Sequence, residues 1–328
     1  MTLESKARAS KVLILCGLLA GAFWLGRQWA GRPVQSVKAQ SATVGVHPMA
    51  EILASSEIID LSVTVSENLP AHWAANPPFQ RWTYNWFTPI KNVYGHVTSA
   101  SDGPYYAQRY VIDEHTGTQV DFPPHFIPPP ESGLPFANDQ GTLTGDKYPV
   151  RRLMGSAAVI DVTHLLGKAA PGKSPHITVD HIREWEREHG EIGKGTIVLF
   201  RSGYTDRYYK PFPEGRRLTF EPIVLKTSPG WPAPEPAVMD YLHSKGVMHL
   251  GTDGPSMGPA EAGAETHVAG LKYGMSWEEM LVNLDRLPPR GAFYIALPIR
   301  IVDQSGSPTR AIAWVPNGVE IPTTNRVN

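Results

Sequence analysis

A single cysteine, Cys16, occurs in 328 residues, and it sits inside an apolar run near the N-terminus. The body of the chain therefore has no disulfide and no thiolate nucleophile or ligand. Any metal must be held by His, Asp, Glu or Gln, and water is the expected nucleophile. The Gly-x-Ser-x-Gly elbow of serine hydrolases is missing, and so is a nucleotide-binding glycine loop. An excess of positive charge is missing too. Outside residues 1–39 the chain has 24 basic and 30 acidic residues. A mildly acidic body lacks the footprint that nucleic acid needs, which leaves a small molecule as the expected partner. The longest apolar run, residues 12–26, falls short of the ~20 residues that span a bilayer comfortably.

That run has a context. Lys6, Arg8 and Lys11 precede it, and Val37-Lys38-Ala39 offers small residues at the −3 and −1 positions of a cleavage site. This is the layout of an export signal over residues 1–39, so the protein is expected to be periplasmic or secreted. The alternative is a membrane anchor retained through residues 12–26, because Arg27 and Arg32 follow the run closely. Residues 40–57 read as a tether and 58–328 as one domain without repeats or long linkers.

Within the domain, β-branched runs predict strands at 58–65, 157–162, 196–200, 247–251 and 292–299. A further strand over 105–112 leads into the most informative segment. Helices are expected at 178–189, closed by Gly190; at 236–245, opened by Pro236 and ended by Gly246; and at 276–286. In the last of these Ser276 and Glu279 form a capping-box pattern. Strands and helices mixed in one domain point to an α/β fold.

Residues 115–125 read His-Thr-Gly-Thr-Gln-Val-Asp-Phe-Pro-Pro-His. In an extended arm, positions 115, 117, 119 and 121 share one face. His115, Gln119 and Asp121 would then converge, with Gly117 leaving room, as donors for a divalent metal. His125 lies beyond the Phe-Pro-Pro turn, where it can act as a base. Further on, a strand runs into Thr252-Asp253-Gly254-Pro255-Ser256, the kind of strand end where catalytic groups gather. Asp253 reads as a turn cap. Glu278 is expected to be solvated, and His249 reads as a core histidine.

The 115–125 segment resembles the His-x-Gly-Thr-His-x-Asp-x-Pro-x-His signature of the Putative cyclase family, which includes kynurenine formamidases and isatin hydrolases. Every motif position matches except the middle His, which is Gln119 here. The segments Gly-Thr-Asp-Gly-Pro-Ser, Glu-Thr-His and Ser-Pro-Thr-Arg-Ala-Ile-Ala extend the resemblance, which covers residues 58–314. It implies the family's swivelling β/β/α fold, a mixed sheet flanked by helices, and a homodimer or larger assembly. It also implies that His267 and Glu279 match the residues that complete a second metal position in the family's formamidases, although here His115, Asp121, His267 and Glu279 are read as donors to a single ion. Glu279 has a second reading as the capping partner of Ser276. Leu69-Pro70-Ala71-His72-Trp73 resembles the family's N-terminal segment, which makes Trp73 a pocket wall, joined by Phe122, Phe126 and Trp86.

The implied activity is hydrolysis of a formamide, small cyclic amide or lactone. One ion, Mn²⁺ or Zn²⁺, activates water, His125 moves the proton, and Ser256 assists the oxyanion. Gln119 leaves three outcomes open: it ligates through oxygen, it steps back to hold a water, or the site binds metal poorly. The competing readings are a cyclase or dehydratase and a non-catalytic binding protein.

Overall fold

The computed structural model describes residues 47–99 and 103–321. The export or anchor segment expected over residues 1–39, and most of the tether's first half, lie outside the described residues. No described helix is long and apolar enough to cross a membrane.

Eight strands form the main sheet: β1 (Ser56–Asp60), β6 (Gln119–Asp121), β7 (Met154–Asp161), β9 (Ile197–Arg201), β11 (His249–Thr252), β12 (Ser276–Glu279), β13 (Arg290–Pro298) and β14 (Gly306–Pro316). Their order is β1-β14-β13-β7-β9-β11-β12-β6, and β6 also pairs with β14, so the sheet closes like a barrel. The run β7, β9, β11, β12 is parallel and the other pairings are antiparallel. The mixed α/β sheet expected from the sequence is therefore present. Two short hairpins, β2 (Gln80–Asn85) with β5 (Ala107–Val111) and β3 (Ile90–Lys91) with β4 (Val97–Ser99), lie apart from it; β8 (His176–Ile177) pairs with β10 (Ala233–Pro234).

Strand alternation sorts two cores. Ala157, Val159, Ile197 and Leu199 face one apolar cluster together with Tyr294, Ala296 and Ala313. Their neighbours Ala158, Ile160, Val198 and Phe200 face another, beneath the helices Val179–His189 and Pro236–Ser244. Thr178 and Pro236 open these two helices as the sequence predicts.

Two local expectations are corrected. Residues 276–286 do not form a helix. Residues 276–279 are the strand β12, wedged between β11 and β6 with all four residues buried. Backbone partners on both sides outweigh a capping pattern worth about 1 kcal/mol. Nor is 115–121 a continuous arm. The strand begins only at Gln119, because Gly117 turns the chain at φ +69°, and its N–H donates to the Ala71 carbonyl at 2.7 Å.

A Cβ at Gly117 would lie 2.9 Å from Val65 Cγ2 and 3.3 Å from Val63 Cγ2, in a backbone region that L side chains rarely adopt. Gly117→Ala should therefore destabilise the fold by about 1–3 kcal/mol, read as a lowered urea midpoint. An unchanged midpoint would contradict this account of the turn.

Candidate metal centre

Everything at this site hangs on the register of β6 against β12. Gln119 lies opposite Glu279, and Asp121 opposite Trp277. Residues two apart on a strand share a face, so Gln119, Asp121, Trp277 and Glu279 emerge on one side of the sheet. The helix Gly263–Leu271 crosses that side and delivers His267. The turns flanking β6 deliver His115 and His125. Asp121 and Glu279 are 0% and 1% exposed.

His115 Nε2 lies 3.3 Å from Asp121 Oδ1. His267 Nε2 lies 3.4 Å from Asp121 Oδ2 and 3.5 Å from Glu279 Oε1. His125 Nε2 is 3.8 Å from Asp121 Oδ2. His115, Asp121 and His125 form one group of converging donor atoms, and Asp121, His267 and Glu279 another, each within 4.8 Å. Asp121 belongs to both.

Other contacts aim these donors. Trp277 Nε1–H donates to Asp121 Oδ2 at 3.1 Å, and the Met257 N–H to Glu279 Oε1 at 2.6 Å. His267 pairs its Nδ1 with the Gly263 carbonyl at 2.7 Å, which turns Nε2 to the carboxylates. That is the outer-sphere arrangement usual for a metal-bound imidazole. His115 rests where Gly306 has no Cβ; an added one would lie 2.4 Å from Nε2.

The fit to a metal can be tested on polar atoms left over. His115 Nε2, Gln119 Oε1 and Asp121 Oδ1 are buried and have no hydrogen-bond partner. Buried polar groups are normally satisfied, so these three atoms, brought together from positions 115, 119 and 121, are a set that a divalent ion would complete.

Charge tells the same story. Burial works against the cationic form of His115 and His267, but Asp121 outweighs it for both, aided by Glu279, and lifts them to about 9 and about 10. Asp121 is itself held well below the usual carboxylate range, its burial overcome by His125, His115 and His267. Glu279 is lowered in spite of burial and the Asp121 charge, through His267 and His72. His125 goes the other way. Burial, reinforced by the charges of His115 and His267, brings it down to about 4, so its imidazole is neutral at pH 7.

A cavity of about 410 Å³ opens over this cluster, lined by His72, Trp73, His115, His125, Phe126 and Ser256 among others. That is within the usual size of a small-molecule site. A family model described as Putative cyclase matches residues 59–259, a span that includes His72, His115, Gln119, Asp121 and His125. The chain belongs to the Putative cyclase family.

Among its relatives, isatin hydrolase of Roseibium aggregatum is 32% identical over 292 residues, covering 85% of this chain and 99% of the relative. A kynurenine formamidase of Erythrobacter litoralis is 27% identical over 260 residues, covering 78% and 92%. The crystal structure of an isatin hydrolase bound to the product analogue thioisatinate superposes with a TM-score of 0.66 at 28% identity, covering 85% of this chain and 99% of that one. This Putative cyclase member thus shares its fold, over 85% of its length, with an isatin hydrolase.

Of the residues singled out from the sequence, His115, Gln119, Asp121, His125, His267 and Glu279 do come together. Trp73, Phe126 and Ser256 line the cavity above them. Three assignments are corrected. Phe122 is fully buried in the second core, its ring 5.2 Å from that of Tyr148. Asp121 takes the site face, so its neighbour takes the other. Glu278 is not solvated; it alternates with Glu279 into the barrel interior, fully buried, and burial raises its carboxyl well above the ordinary range. Trp86 packs against Phe87 and Tyr106 and does not line the cavity.

Asp253 caps a turn as expected, accepting from the Ser202 and Gly203 N–H groups at 2.7 and 2.6 Å. Two contributors were not foreseen. Trp277 lay in a stretch expected to be helical. His72 stood beside Trp73 in the segment read for its aromatic residue, yet its Nε2 reaches 3.3 Å from Glu279 Oε2.

A divalent ion ligated by His115 must displace the proton that Asp121 holds there. Because the His115 value is raised to about 9, affinity should climb with pH from 6 to about 9, and binding at pH 7 should release protons. Calorimetry in buffers of differing ionisation enthalpy measures that release. Identical heats in all buffers would remove His115 from the ligand set.

Proposed function

We propose that this protein is a metal-dependent hydrolase of a small amide: a formamide, a cyclic amide or, as the oxygen counterpart, a lactone. One observation carries the reading. A neutral imidazole, His125, stands at the edge of a buried set of orphaned N and O donors, at the floor of a cavity with aromatic walls. The likeness to isatin hydrolase and kynurenine formamidase supports it.

When bound, a divalent ion (Mn²⁺ or Zn²⁺) polarises a carbonyl and lowers the pKa of water toward ~7. His115, Gln119 and Asp121 would hold it, with His267 and Glu279 on the adjoining side. His125 takes the proton from the attacking water as its oxygen bonds to the carbonyl carbon. As the C–N bond breaks, His125 passes the same proton to the leaving nitrogen, giving an amine and a carboxylic acid that then ionises to solvent. Ser256 Oγ accepts from the Gly258 N–H at 3.2 Å, which leaves its own hydrogen to donate to the carbonyl oxygen. Trp73 and Phe126 flank a flat substrate; the Phe126 ring lies 4.4 Å from that of His267. The reading includes export to the periplasm or beyond, with residues 1–39 as signal or anchor, and a homodimer or larger assembly.

The full chain, loaded with Mn²⁺ or Zn²⁺, should convert isatin or an aryl formamide to a product heavier by one water. His125→Ala should lower kcat by roughly 10²–10⁴-fold while retaining the ion, whereas Asp121→Ala should lose both. Turnover surviving in His125→Ala would remove the proton-transfer role. A product with no added water would instead favour a cyclase or dehydratase, and ligand binding without turnover a binding protein.

A further inference from the structure

A second cavity, of about 640 Å³, opens at the end of the barrel where β7, β9 and β11 begin. It shares no lining residue with the cavity over the metal centre. The strand β12 separates the two. It starts at Ser276, the register partner of His249 in the second cavity, and ends at Glu279 in the first. No Asp or Glu lines the second cavity, whereas Arg151, Arg152 and Lys194 all do.

Local structure puts these cations there. Arg151 and Arg152 occupy the single helical turn Val150–Leu153 that feeds β7. Each is tied by one Nη1–H to a backbone carbonyl, Arg151 to Met154 and Arg152 to Gly274, both at 3.2 Å. A guanidinium has several further N–H donors in a fixed fork, so most of each fork is left for another acceptor. Lys194 lies in the turn before β9. Its stem rests on Gly246, where an added Cβ would come 3.0 Å from Lys194 Cβ. Among the described residues no carboxylate pairs with any of the three cations. Like charges gathered around a concave wall focus a positive potential into it, and an anion relieves their mutual repulsion.

The inner wall adds an independent sign. His249 and Ile197 are register partners on β11 and β9, so their side chains share one face, and both line the cavity. His249 is 1% exposed. Its Nδ1 is paired with Ser276 Oγ at 2.8 Å, and its Nε2 is buried without a partner. Burial brings this imidazole down to about 3, so the ring is neutral at pH 7. It lacks a hydrogen-bonding group, and a counter-charge is not required. Met154, Ile197 and Met248 supply apolar wall, and the two methionines can adapt to a hydrocarbon body.

We propose that this cavity binds a small organic oxyanion: an apolar or aromatic body whose carboxylate or phosphate is met by Arg151, Arg152 and Lys194, and whose inner end hydrogen-bonds His249 Nε2. The site is separate from the metal centre and does not rest on the hydrolytic reading above.

The test is calorimetric titration of the full chain with benzoate, phenyl phosphate and 4-hydroxybenzoate, reading Kd without reference to turnover. Lys194 and Arg151 are exposed, so Lys194→Glu and Arg151→Ala should keep the thermal midpoint of the wild type. Lys194→Glu should weaken binding by at least about tenfold and Arg151→Ala by about fivefold. The hydroxyl of 4-hydroxybenzoate should improve on benzoate by about fivefold, and His249→Phe should erase that advantage. Tighter binding of phenyl phosphate than of benzoate identifies a phosphate as the anionic end, and the reverse order a carboxylate. Either order supports the site.

An unchanged Kd in Lys194→Glu, equal wild-type affinities for benzoate and 4-hydroxybenzoate, or no binding of any probe up to about 10 mM overturns the proposal. Binding that survives Lys194→Glu but is lost in Asp121→Ala places the anion at the metal centre and overturns it too, while leaving the hydrolytic reading intact. Conversely, a chain that hydrolyses no amide but loses benzoate in Lys194→Glu keeps this site and drops only that reading.

Discussion

Two carboxylates, Asp121 and Glu279, are buried on the same face of adjacent strands and share His267 between them. Burying one uncompensated charge is expensive, and burying two of like sign beside each other is more so. Positive charge must therefore be drawn to this place, and the surrounding residues show how. His115 and His267 are pushed toward their cationic forms, and Trp277 and the Met257 amide donate to carboxylate oxygens. A divalent ion would satisfy the same demand more compactly, with one centre in place of separate protons.

The barrel-like closure exists in service of that arrangement. β6 is only three residues long, yet it pairs with β12 on one side and β14 on the other. Held on both edges, it gives Gln119 and Asp121 a fixed direction that a free loop could not. The flanking turns then carry residues for other duties. Glu114 accepts from Ser305 and Gly306 N–H groups and ties the start of the motif to β14. The Pro-Pro turn after Asp121 brings His125 back to within 3.8 Å of that carboxylate. The two imidazoles thus end in opposite electrostatic situations although their ring centroids are 4.1 Å apart. His115 faces Asp121 directly and is raised. His125 is half-buried beside cationic neighbours and is lowered. A proton acceptor and a charge holder are separated in this way without any difference in residue type.

Strand alternation accounts both for what was legible in advance and for what was misread. The strands β7, β9, β11 and β13 overlap the apolar or β-branched stretches from which strands are expected, and local composition announces them. The two helices with clear openings and closings, Val179–His189 and Pro236–Ser244, were legible for the same local reason. The helix Gly263–Leu271 begins on a glycine without a side-chain cap, so it carries no local signal. β12 carries a misleading one. Ser-Trp-Glu-Glu reads as the start of a helix and as a solvated pair of acids. Once it is threaded between β11 and β6 it becomes a buried strand, with Glu279 on the site face and Glu278 facing Tyr294 in the interior. Phe122 was misplaced by the same rule, being one residue away from a ligand position and therefore on the other face.

The sequence by itself determined the chemistry available: no thiol outside Cys16, an acidic body, and a dense run of His, Gln and Asp around one glycine turn and a double proline. Those are properties of residue type and short spacing, and they survive any fold. Only the tertiary structure decided which atoms face which. It set Glu279 against the Gln119 amide across 160 residues and brought His72, which precedes Gln119 by 47 residues, to the same carboxylate. It also sent Glu278 into the core. Orientation of this kind depends on strand register and on partners distant in sequence, and neither is encoded in local propensity or periodicity.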